Sequence, residues 1–204
     1  MNNRQREEQL TLGLLEAIEQ RSDVTQRHLA RRLGVALGLT NSYLKRCARK
    51  GLIKIQQAPA NRYLYYLTPQ GFAEKSRLTA EYLTVSFGFY RRAADSCADA
   101  LKLCRVLGMD RLGLYGASEL AEIAAMKAID EGVHIACVYD RGRERFLRYL
   151  VVRDIAGAPS VDGWLFTMLG GESAAEHRQL VRRIGPERVI VPAILGLGAV
   201  VPAE

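Results

Sequence analysis

Residues 25–53 read TQRHLARRLGVALGLTNSYLKRCARKGLI, and this stretch decides the fold of the front of the chain. Leu29, Ala30 and Leu33 recur at the spacing of one helical face. Gly34 stands where the chain must turn sharply, which glycine does at low steric cost. The apolar side of the helix that follows comprises Tyr43, Leu44, Cys47 and Ala48. The stretch therefore predicts a helix-turn-helix, preceded by a first helix over residues 6–20.

Two short β-prone runs follow, over residues 52–56 and 63–67, and they flank a turn-prone segment. A helix-turn-helix followed directly by a hairpin predicts a winged helix. The order and spacing resemble the MarR-like winged-helix regulators, including the Gly-Leu-Ile that enters the hairpin and the Leu-Thr-Pro-Gln-Gly of residues 67–71 that leaves it. Residues 67–78 are similar to a subgroup of that family associated with exopolysaccharide loci.

The resemblance covers roughly residues 6–80 and implies a DNA-binding transcriptional regulator. The sequence departs from commoner family members at Leu37, Gly38 and Leu39, where polar residues or proline are usual.

Positive charge is concentrated in the front half. Residues 1–108 hold 18 Lys and Arg against 9 Asp and Glu, whereas residues 109–204 hold 11 against 13. Within residues 21–54 there are 9 basic residues and one acid, Asp23. A basic winged helix suits a polyanion, because neutralising phosphates releases counterions. A solvated basic face is the alternative that charge alone leaves open, and the fold favours double-stranded DNA.

The candidate DNA-binding residues follow from this fold. Short polar groups near the start of the second helix can reach base edges, and Asn41 can pair with adenine through both amide atoms. Lys45, Arg46 and Arg49 are expected to hold phosphates. In the hairpin, Arg62 is expected to enter a minor groove, with ordinary turn chemistry as the equal alternative for Asn61 and Arg62. The complete predicted set is Thr25, Arg27, Thr40, Asn41, Ser42, Lys45, Arg46, Arg49, Asn61 and Arg62.

A long helix is predicted next, from Pro69 to about Leu107, with Thr68 as its N-cap and residues 86–88 as a candidate break. Apolar residues along it repeat at alternating spacings of four and three, which is typical of a helix-pairing surface. They are Leu78, Tyr82, Val85 and Phe89, continued by Ala93, Cys97, Ala100 and Cys104. Two interpretations compete: the surface pairs two chains in a homodimer, or it packs on the chain's own domains. We favour the homodimer through residues 69–107.

A βαβ unit begins after residue 108. Apolar strands are expected at residues 112–115 and 133–139, with a helix from about 119 to 131 between them, which predicts a parallel, Rossmann-like sheet. Further strands are expected at residues 146–152, 164–168 and 189–191, with a helix over 173–184. His134 is expected in the core, and His177 on a polar helix face.

The loop Gly116-x-Ser118-x-x-Ala121 is a degenerate dinucleotide-binding fingerprint, in which Ser118 replaces the second glycine. An acid at the end of the next strand, Asp140, can hold a ribose hydroxyl. The loop either binds a ligand or simply connects strand and helix. The predicted ligand set is Gly116, Ser118, Glu119, Asp140 and Arg141, with Arg143 and Arg145 as further candidates for a phosphate.

A winged helix before a Rossmann-like module resembles the Rex-type redox repressors, which read NADH. The loop and residues 186–192 also resemble small Rossmann modules that bind sugar nucleotides or CoA. These resemblances imply a small nucleotide-like effector, whose identity the sequence does not specify.

Enzymatic activity is not expected. Gly116-Ala117-Ser118 lacks the closing glycine of a nucleophile elbow, and no group stands ready to assist a carboxylate pair. Four cysteines show no Cys-x-x-Cys pair and no histidine at metal spacing, so neither a disulfide nor a metal is predicted. The absence of a long apolar run and of a signal-peptide pattern near the first residue indicates a cytoplasmic protein without membrane contact.

The predicted fold class is an α+β winged helix-turn-helix domain, a long linking helix and a small α/β Rossmann-like parallel-sheet domain. The predicted boundaries are residues 1–68, 69–108 and 109–204. The predicted function is a dimeric transcriptional regulator with a ligand-sensing rear domain. The alternative is a nucleotide- or nucleotide-sugar-binding module or enzyme whose winged helix makes protein contacts.

Overall fold

The computed structural model describes residues 3–59 and 62–197, which divide into two compact units. The front unit spans residues 1–87 and the rear unit residues 88–204, so the division falls inside one long helix. The front unit contains helices α1 (Asn3–Gln20), α2 (Gln26–Leu33) and α3 (Leu37–Arg49), strands β1 (Ile53–Ala58) and β2 (Arg62–Leu67), and the start of α4 (Pro69–Val106).

The helix-turn-helix forms as the apolar spacing predicts. Thr25 caps α2, since its hydroxyl accepts a hydrogen bond from the backbone amide of His28 at 3.2 Å. Gly34 ends α2 in the left-handed region, with φ of 63°. The buried side chains of α1, α2 and α3 meet in one core, whose fully buried members include Leu14, Leu15, Leu29 and Leu44.

The wing is an antiparallel hairpin in which Ile53 pairs with Leu67 and Ala58 with Arg62. Tyr65 anchors it: the side chain is buried, and its backbone amide donates to the carbonyl of Ser22 at 2.8 Å. Thr68 then caps α4 by accepting from the amide of Gly71 at 3.0 Å, and Pro69 is the first helical residue. The predicted exit from the wing into a long helix is thus confirmed.

Helix α4 is continuous over its 38 residues, so the candidate break at residues 86–88 is wrong. Its predicted pairing surface divides into three parts. Leu78 is buried in the front core, and the small residues from Ala93 onward are buried in the rear core. Between them, Tyr82, Val85 and Phe89 are 49%, 53% and 58% exposed. We call these three residues the α4 stripe.

The rear unit is a five-stranded parallel sheet with helices. After α4 it contains β3 (Arg111–Tyr115), α5 (Glu119–Asp130), β4 (His134–Tyr139), β5 (Val151–Val152), β6 (Gly163–Phe166), α6 (Ser173–Ile184) and β7 (Val189–Ile190). The strand order is β5-β4-β3-β6-β7, and every neighbouring pair is parallel. The Rossmann-like architecture predicted for this region is confirmed.

Small residues let the helices lie close to this sheet. The core on one face joins the end of α4 to α5 and β3 through residues such as Ala93, Leu101, Leu114, Ala121 and Ala124. A second cluster on the other face contains Tyr115, Tyr139, Trp164, Phe166 and Leu180. Stacked rings run across three adjacent strands, with Tyr115 lying 4.4 Å from Tyr139 and 5.5 Å from Phe166 between centroids.

The four cysteines are buried, which confirms the prediction that they are packing residues. Burial raises the pKa of the Cys47 thiol to about 11 and those of Cys97 and Cys104 to about 12. These thiols therefore remain protonated at neutral pH and act as small apolar side chains.

Three sequence predictions in the rear unit are wrong in detail. The strand expected at residues 146–152 reduces to Val151–Val152, because the chain turns through Leu147, whose φ is 46°, and bridges Phe146 to Tyr149. His134 is exposed because it opens β4 at the edge of the core. His177 is buried, since α6 lies on the sheet and sets that ring against Phe166 at 5.3 Å.

None of the helices within the described ranges combines the length and the apolar character needed to cross a bilayer.

Candidate nucleic-acid interface and candidate ligand cleft

The outer face of α3 is open to solvent. Thr40, Leu44 and Cys47 are the buried side of this helix. The opposite side carries Gly38, Ser42, Lys45 and Arg49, all of them exposed. Because N-terminal residues of a recognition helix contact base edges and later basic residues contact phosphates, this row has the chemistry of a major-groove surface.

Thr40 does not belong to that surface, which corrects the prediction. Its side chain is fully buried, and its hydroxyl donates to the carbonyl of Ala36 at 3.2 Å. Position 40 falls on the inner side of the helix, where the hydroxyl bonds to a carbonyl of the preceding turn and cannot reach a base.

Asn41 and Ser42 are placed differently from each other. The Oδ1 atom of Asn41 is buried and has no hydrogen-bond partner within the described part of the chain. Pairing with adenine uses both amide atoms, so Asn41 must rotate its amide outward to form that pair. Ser42 is exposed, and its hydroxyl donates to the carbonyl of Gly38 at 3.0 Å.

The three basic residues of α3 are exposed but not equivalent. Arg46 donates to Glu7 of α1 at 3.0 Å, so part of its charge is engaged within the front unit. Lys45 and Arg49 lie on the outward row itself. They are therefore better placed than Arg46 to contact a polyanion.

The remaining predicted DNA contacts flank this helix. Arg27 is exposed on α2, and Thr25 is exposed although its hydroxyl already caps that helix. Arg62 is exposed at the first position of β2, beside the tip of the wing. Asn61 lies outside the described residues.

A second candidate site lies at the carboxyl ends of the rear strands. After β3, the chain adds β4 and then β5 on one side of β3. It later adds β6 and then β7 on the other side of β3. Such a switch point opens a crevice between the first strand of each half. Here it is a cleft of about 480 Å³. The residues that line it are Gly116, Ala117, Ser118, Glu119, Asp140, Arg143, Met168, Leu169, Gly170, Gly171 and Glu172.

Gly116 shapes the floor of the cleft. Its φ is 107°, and a Cβ there would lie 2.6 Å from the Cα of Met168, so only glycine fits this position. Thr167, buried at the end of β6, donates its hydroxyl to the carbonyl of Gly116 at 2.7 Å. This hydrogen bond connects the carboxyl ends of β3 and β6.

The polar side-chain atoms of Ser118 and Asp140 form hydrogen bonds to the chain itself. The Ser118 hydroxyl donates to the carbonyl of Thr167 at 2.5 Å and caps α5 by accepting from the amide of Ala121 at 3.3 Å. The Asp140 carboxylate accepts three backbone amides, from Ala117, Gly142 and Arg143, at 2.9–3.0 Å. One acceptor position then remains on Asp140 Oδ2.

The protonation of Asp140 follows from these contacts. Burial disfavours its charged form, but the amides of Arg143, Ala117 and Gly142 and the positive charge of Arg143 outweigh burial. The pKa of the Asp140 carboxyl consequently lies below its usual value. The cleft thus holds a carboxylate at neutral pH.

Arg141 does not reach the cleft, which corrects the prediction. Its Nε donates to the hydroxyl of Tyr139 at 2.7 Å, and its Nη1 lies 3.5 Å from Glu176 of α6. The turn after β4 instead directs Arg143 to the cleft. Gly170 and Gly171 also line the cleft, although they were not among the predicted ligand residues. A pair of glycines shortly after a predicted strand was the available signal.

Comparison with known protein families identifies the front unit. Residues 7–54 match the family model described as winged helix-turn-helix DNA-binding. The front unit is a winged helix-turn-helix DNA-binding domain. The match covers α1 to the start of β1, and therefore includes the whole outward row of α3. No curated protein matches the chain.

Solved structures give weaker likenesses. The complex of MepR from S. aureus with DNA is 24% identical over 44% of this chain and 62% of that chain, with a TM-score of 0.35. PcaV, a transcriptional regulator from Streptomyces coelicolor, is 24% identical over 42% of this chain and 76% of that chain, with a TM-score of 0.32. This chain spans less than two thirds of the MepR chain. TM-scores this low carry no assignment of function.

The expectation that the chain is not an enzyme is contradicted. Human N-acetylserotonin methyltransferase in complex with SAM aligns with 90% of this chain and 76% of its own length, at 13% identity and a TM-score of 0.35. The expectation rested on missing hydrolase-type groups, which a cofactor-dependent transferase does not need. The lack of hydrolase-type groups therefore does not exclude a cofactor-dependent enzyme. Within residues 3–59 and 62–197 no cluster of His, Cys, Asp and Glu is arranged to hold a metal ion.

Proposed function

We propose that the chain is a MarR-like, sequence-specific transcriptional regulator that acts as a homodimer in the cytoplasm and responds to a small ligand. The observation that carries the DNA-binding part is the exposed outward row of α3. It joins Ser42 to Lys45 and Arg49 on a helix within the matched DNA-binding domain. Arg27 and Arg62 extend positive charge to either side of it.

The homodimer is proposed from the α4 stripe. Tyr82, Val85 and Phe89 fall on one side of the helix at spacings of three and four, and about half of each side chain is exposed. Soluble proteins rarely leave such a row uncovered. A second α4, packed against the first, buries the row and brings two recognition helices to a twofold operator.

The effector is proposed to bind the rear cleft. The cleft lies at a topological switch point, and its lining glycines, Gly116, Gly170 and Gly171, carry no side chains that would obstruct a planar group. Three carboxylates, those of Glu119, Asp140 and Glu172, face one cation, Arg143. Repulsion between like charges therefore favours a nucleoside-like ligand with few phosphates over a dinucleotide.

Regulation then follows from differential binding. A ligand that prefers one arrangement of the dimer changes the separation of the two recognition helices, and so changes operator affinity. The size of the change is bounded by the ratio of ligand affinities for the two arrangements.

The test is binding of the full chain to its own upstream DNA, measured by fluorescence anisotropy across salt concentrations. We expect the logarithm of the affinity to fall with the logarithm of salt with a slope of about 0.9 per neutralised phosphate. A parallel thermal-shift panel contains nucleosides, NADH, NAD, CoA and nucleotide sugars, and each stabilising compound is then added to the DNA complex.

Two results would overturn the proposal in different ways. If nucleotides stabilise the chain while no duplex binds at low salt, the chain is a nucleotide-binding module or enzyme, and its winged helix serves protein contacts. If duplexes bind but no compound in the panel changes stability or affinity, the ligand-sensing role of the cleft fails and the DNA-binding role stands.

A further inference from the structure

The start of the recognition helix carries apolar side chains where charge is expected. Basic residues dominate the later turns of α3, whereas its first turn begins with Leu37, Gly38 and Leu39. Leu37 is 40% exposed and Leu39 is 42% exposed. Neither side chain belongs to the buried core of the front unit. That core therefore does not require leucine at either position.

Gly38 has no structural requirement for glycine. Its backbone is not in the left-handed region, and a Cβ added there would meet nothing within 4 Å. Glycine is less favourable in a helix than alanine, so the stability of the fold does not explain it. What the glycine does provide is a bare backbone at the outward position, between the two exposed leucines.

This arrangement matches one feature of the major groove. Among the four bases of DNA, thymine presents a methyl group there, and apolar side chains contact it favourably. N-terminal residues of a recognition helix are those that meet base edges. A first turn with apolar side chains, and with no side chain at its outward position, can approach such methyl groups closely. A polar side chain facing outward would hold the helix further away.

We propose that Leu37 and Leu39 contact thymine methyl groups in the operator, and that Gly38 allows the close approach that this contact requires. Lys45 and Arg49, two and three turns further along the outward row, hold the phosphates that fix the helix in the groove. The inference rests on the proposed DNA-binding function. It identifies the base that the first turn of each recognition helix recognises, a thymine in an A·T pair.

The experiment replaces thymine by deoxyuridine, which removes only the methyl group. Full-length chain is titrated with its upstream duplex, and each thymine is replaced in turn. At one or two positions per half-site we expect affinity to fall about 4-fold, the factor for burying one methyl group. Elsewhere in the duplex the replacement is expected to leave affinity unchanged.

Variants assign the effect to the helix. The double variant Leu37→Ala with Leu39→Ala is expected to bind the thymine and deoxyuridine duplexes equally at the sensitive positions. Leu83→Ala, a matched control at a similarly exposed leucine on α4, is expected to keep the full discrimination. Gly38→Ala is expected to raise the melting temperature of the protein while weakening its binding to the thymine duplex, which separates recognition from stability.

The outcomes distinguish this inference from the proposed function. If the chain binds the duplex tightly but no thymine position responds to loss of its methyl group, methyl recognition is refuted and DNA binding stands. The same conclusion follows if Leu37→Ala with Leu39→Ala keeps the discrimination. If no duplex binds at low salt, both the proposed function and this inference are refuted.

Discussion

The two units differ most clearly in charge. The front unit, residues 1–87, holds 14 Lys and Arg against 7 Asp and Glu, whereas residues 88–204 hold 15 of each. The net charge of the whole chain, +7, therefore comes entirely from the front. A polyanion is attracted to the front unit and has little net electrostatic attraction to the rear unit. The sequence therefore already separates the two candidate sites by the class of ligand.

They differ also in how their polar side chains are used. On α3, Lys45 and Arg49 face solvent and are available to another molecule, and only the Ser42 hydroxyl on this row donates to the chain's own backbone within the described residues. In the rear cleft, Ser118 and Asp140 bond to the chain's own backbone. An open surface suits a large, mobile polyanion, whereas a loop fixed by internal hydrogen bonds provides a preformed shape for a small ligand.

The largest effect is expected at the α4 stripe. Replacing Tyr82 and Val85 together by Glu places two carboxylates in the proposed dimer contact, so we expect the dimer dissociation constant to rise at least ~1000-fold. Sedimentation equilibrium measures it. Leu83→Glu with Phe87→Glu is the control, because these exposed residues lie on the opposite side of α4. If the control dissociates the dimer and the stripe variant does not, the contact is on the wrong side of the helix.

A smaller effect is expected for the charges of the outward row. Lys45→Ala with Arg49→Ala should weaken duplex binding about 100-fold at moderate salt and lower the salt slope by about 2, one for each lost phosphate contact. Arg178→Ala with Arg182→Ala changes the charge equally at exposed positions of α6 in the rear unit. That control should bind almost as wild type does. Equal losses in both variants would mean that net charge alone determines the affinity.

The smallest effect is expected in the rear cleft. Asp140→Asn removes one of the two carboxylate acceptors, so we expect the rear unit to lose about 1–3 kcal/mol of unfolding free energy. Glu119→Gln removes a charge from the same cleft and should cost less than about 0.5 kcal/mol. Urea denaturation, followed by fluorescence of Trp164 in the rear core, measures both.

The difference in unfolding free energy between wild type and Asp140→Asn depends on pH with a defined sign. The pKa of Asp140 is lower in the folded chain than in the unfolded chain, where it is about 3.9. Its contribution to stability is therefore complete above about pH 4 and is lost as the pH falls through the folded value. The gap between wild type and Asp140→Asn should narrow on acidification, and a gap that widens would contradict the assignment.

Most of the architecture could be predicted because local pattern determines it. The spacing of Leu29 and Leu33, the turn at Gly34 and the cap at Thr68 each depend on a few neighbouring residues. The parallel sheet was predictable for the same reason, since its buried strands read as continuous apolar runs between helical segments.

The failures concern features that depend on distant contacts. Thr40 is an exception, because its position on α3, one turn before the buried Leu44, already turns it inward. Whether Arg141 or Arg143 enters the cleft depends on the turn after β4 and on Glu176 of α6, 35 residues away along the chain. His177 is buried because α6 lies over Phe166, which a polar helical pattern does not reveal.

The distribution of the cysteines has a practical consequence. Cys47 lies in the core of the front unit, whereas Cys97, Cys104 and Cys137 lie in the cores of the rear unit. None can react while buried and protonated, so the modification rate of each thiol by a disulfide reagent reports how often its own unit opens. Mass spectrometry of a single sample then gives two opening free energies, and added duplex should slow the reaction at Cys47 first.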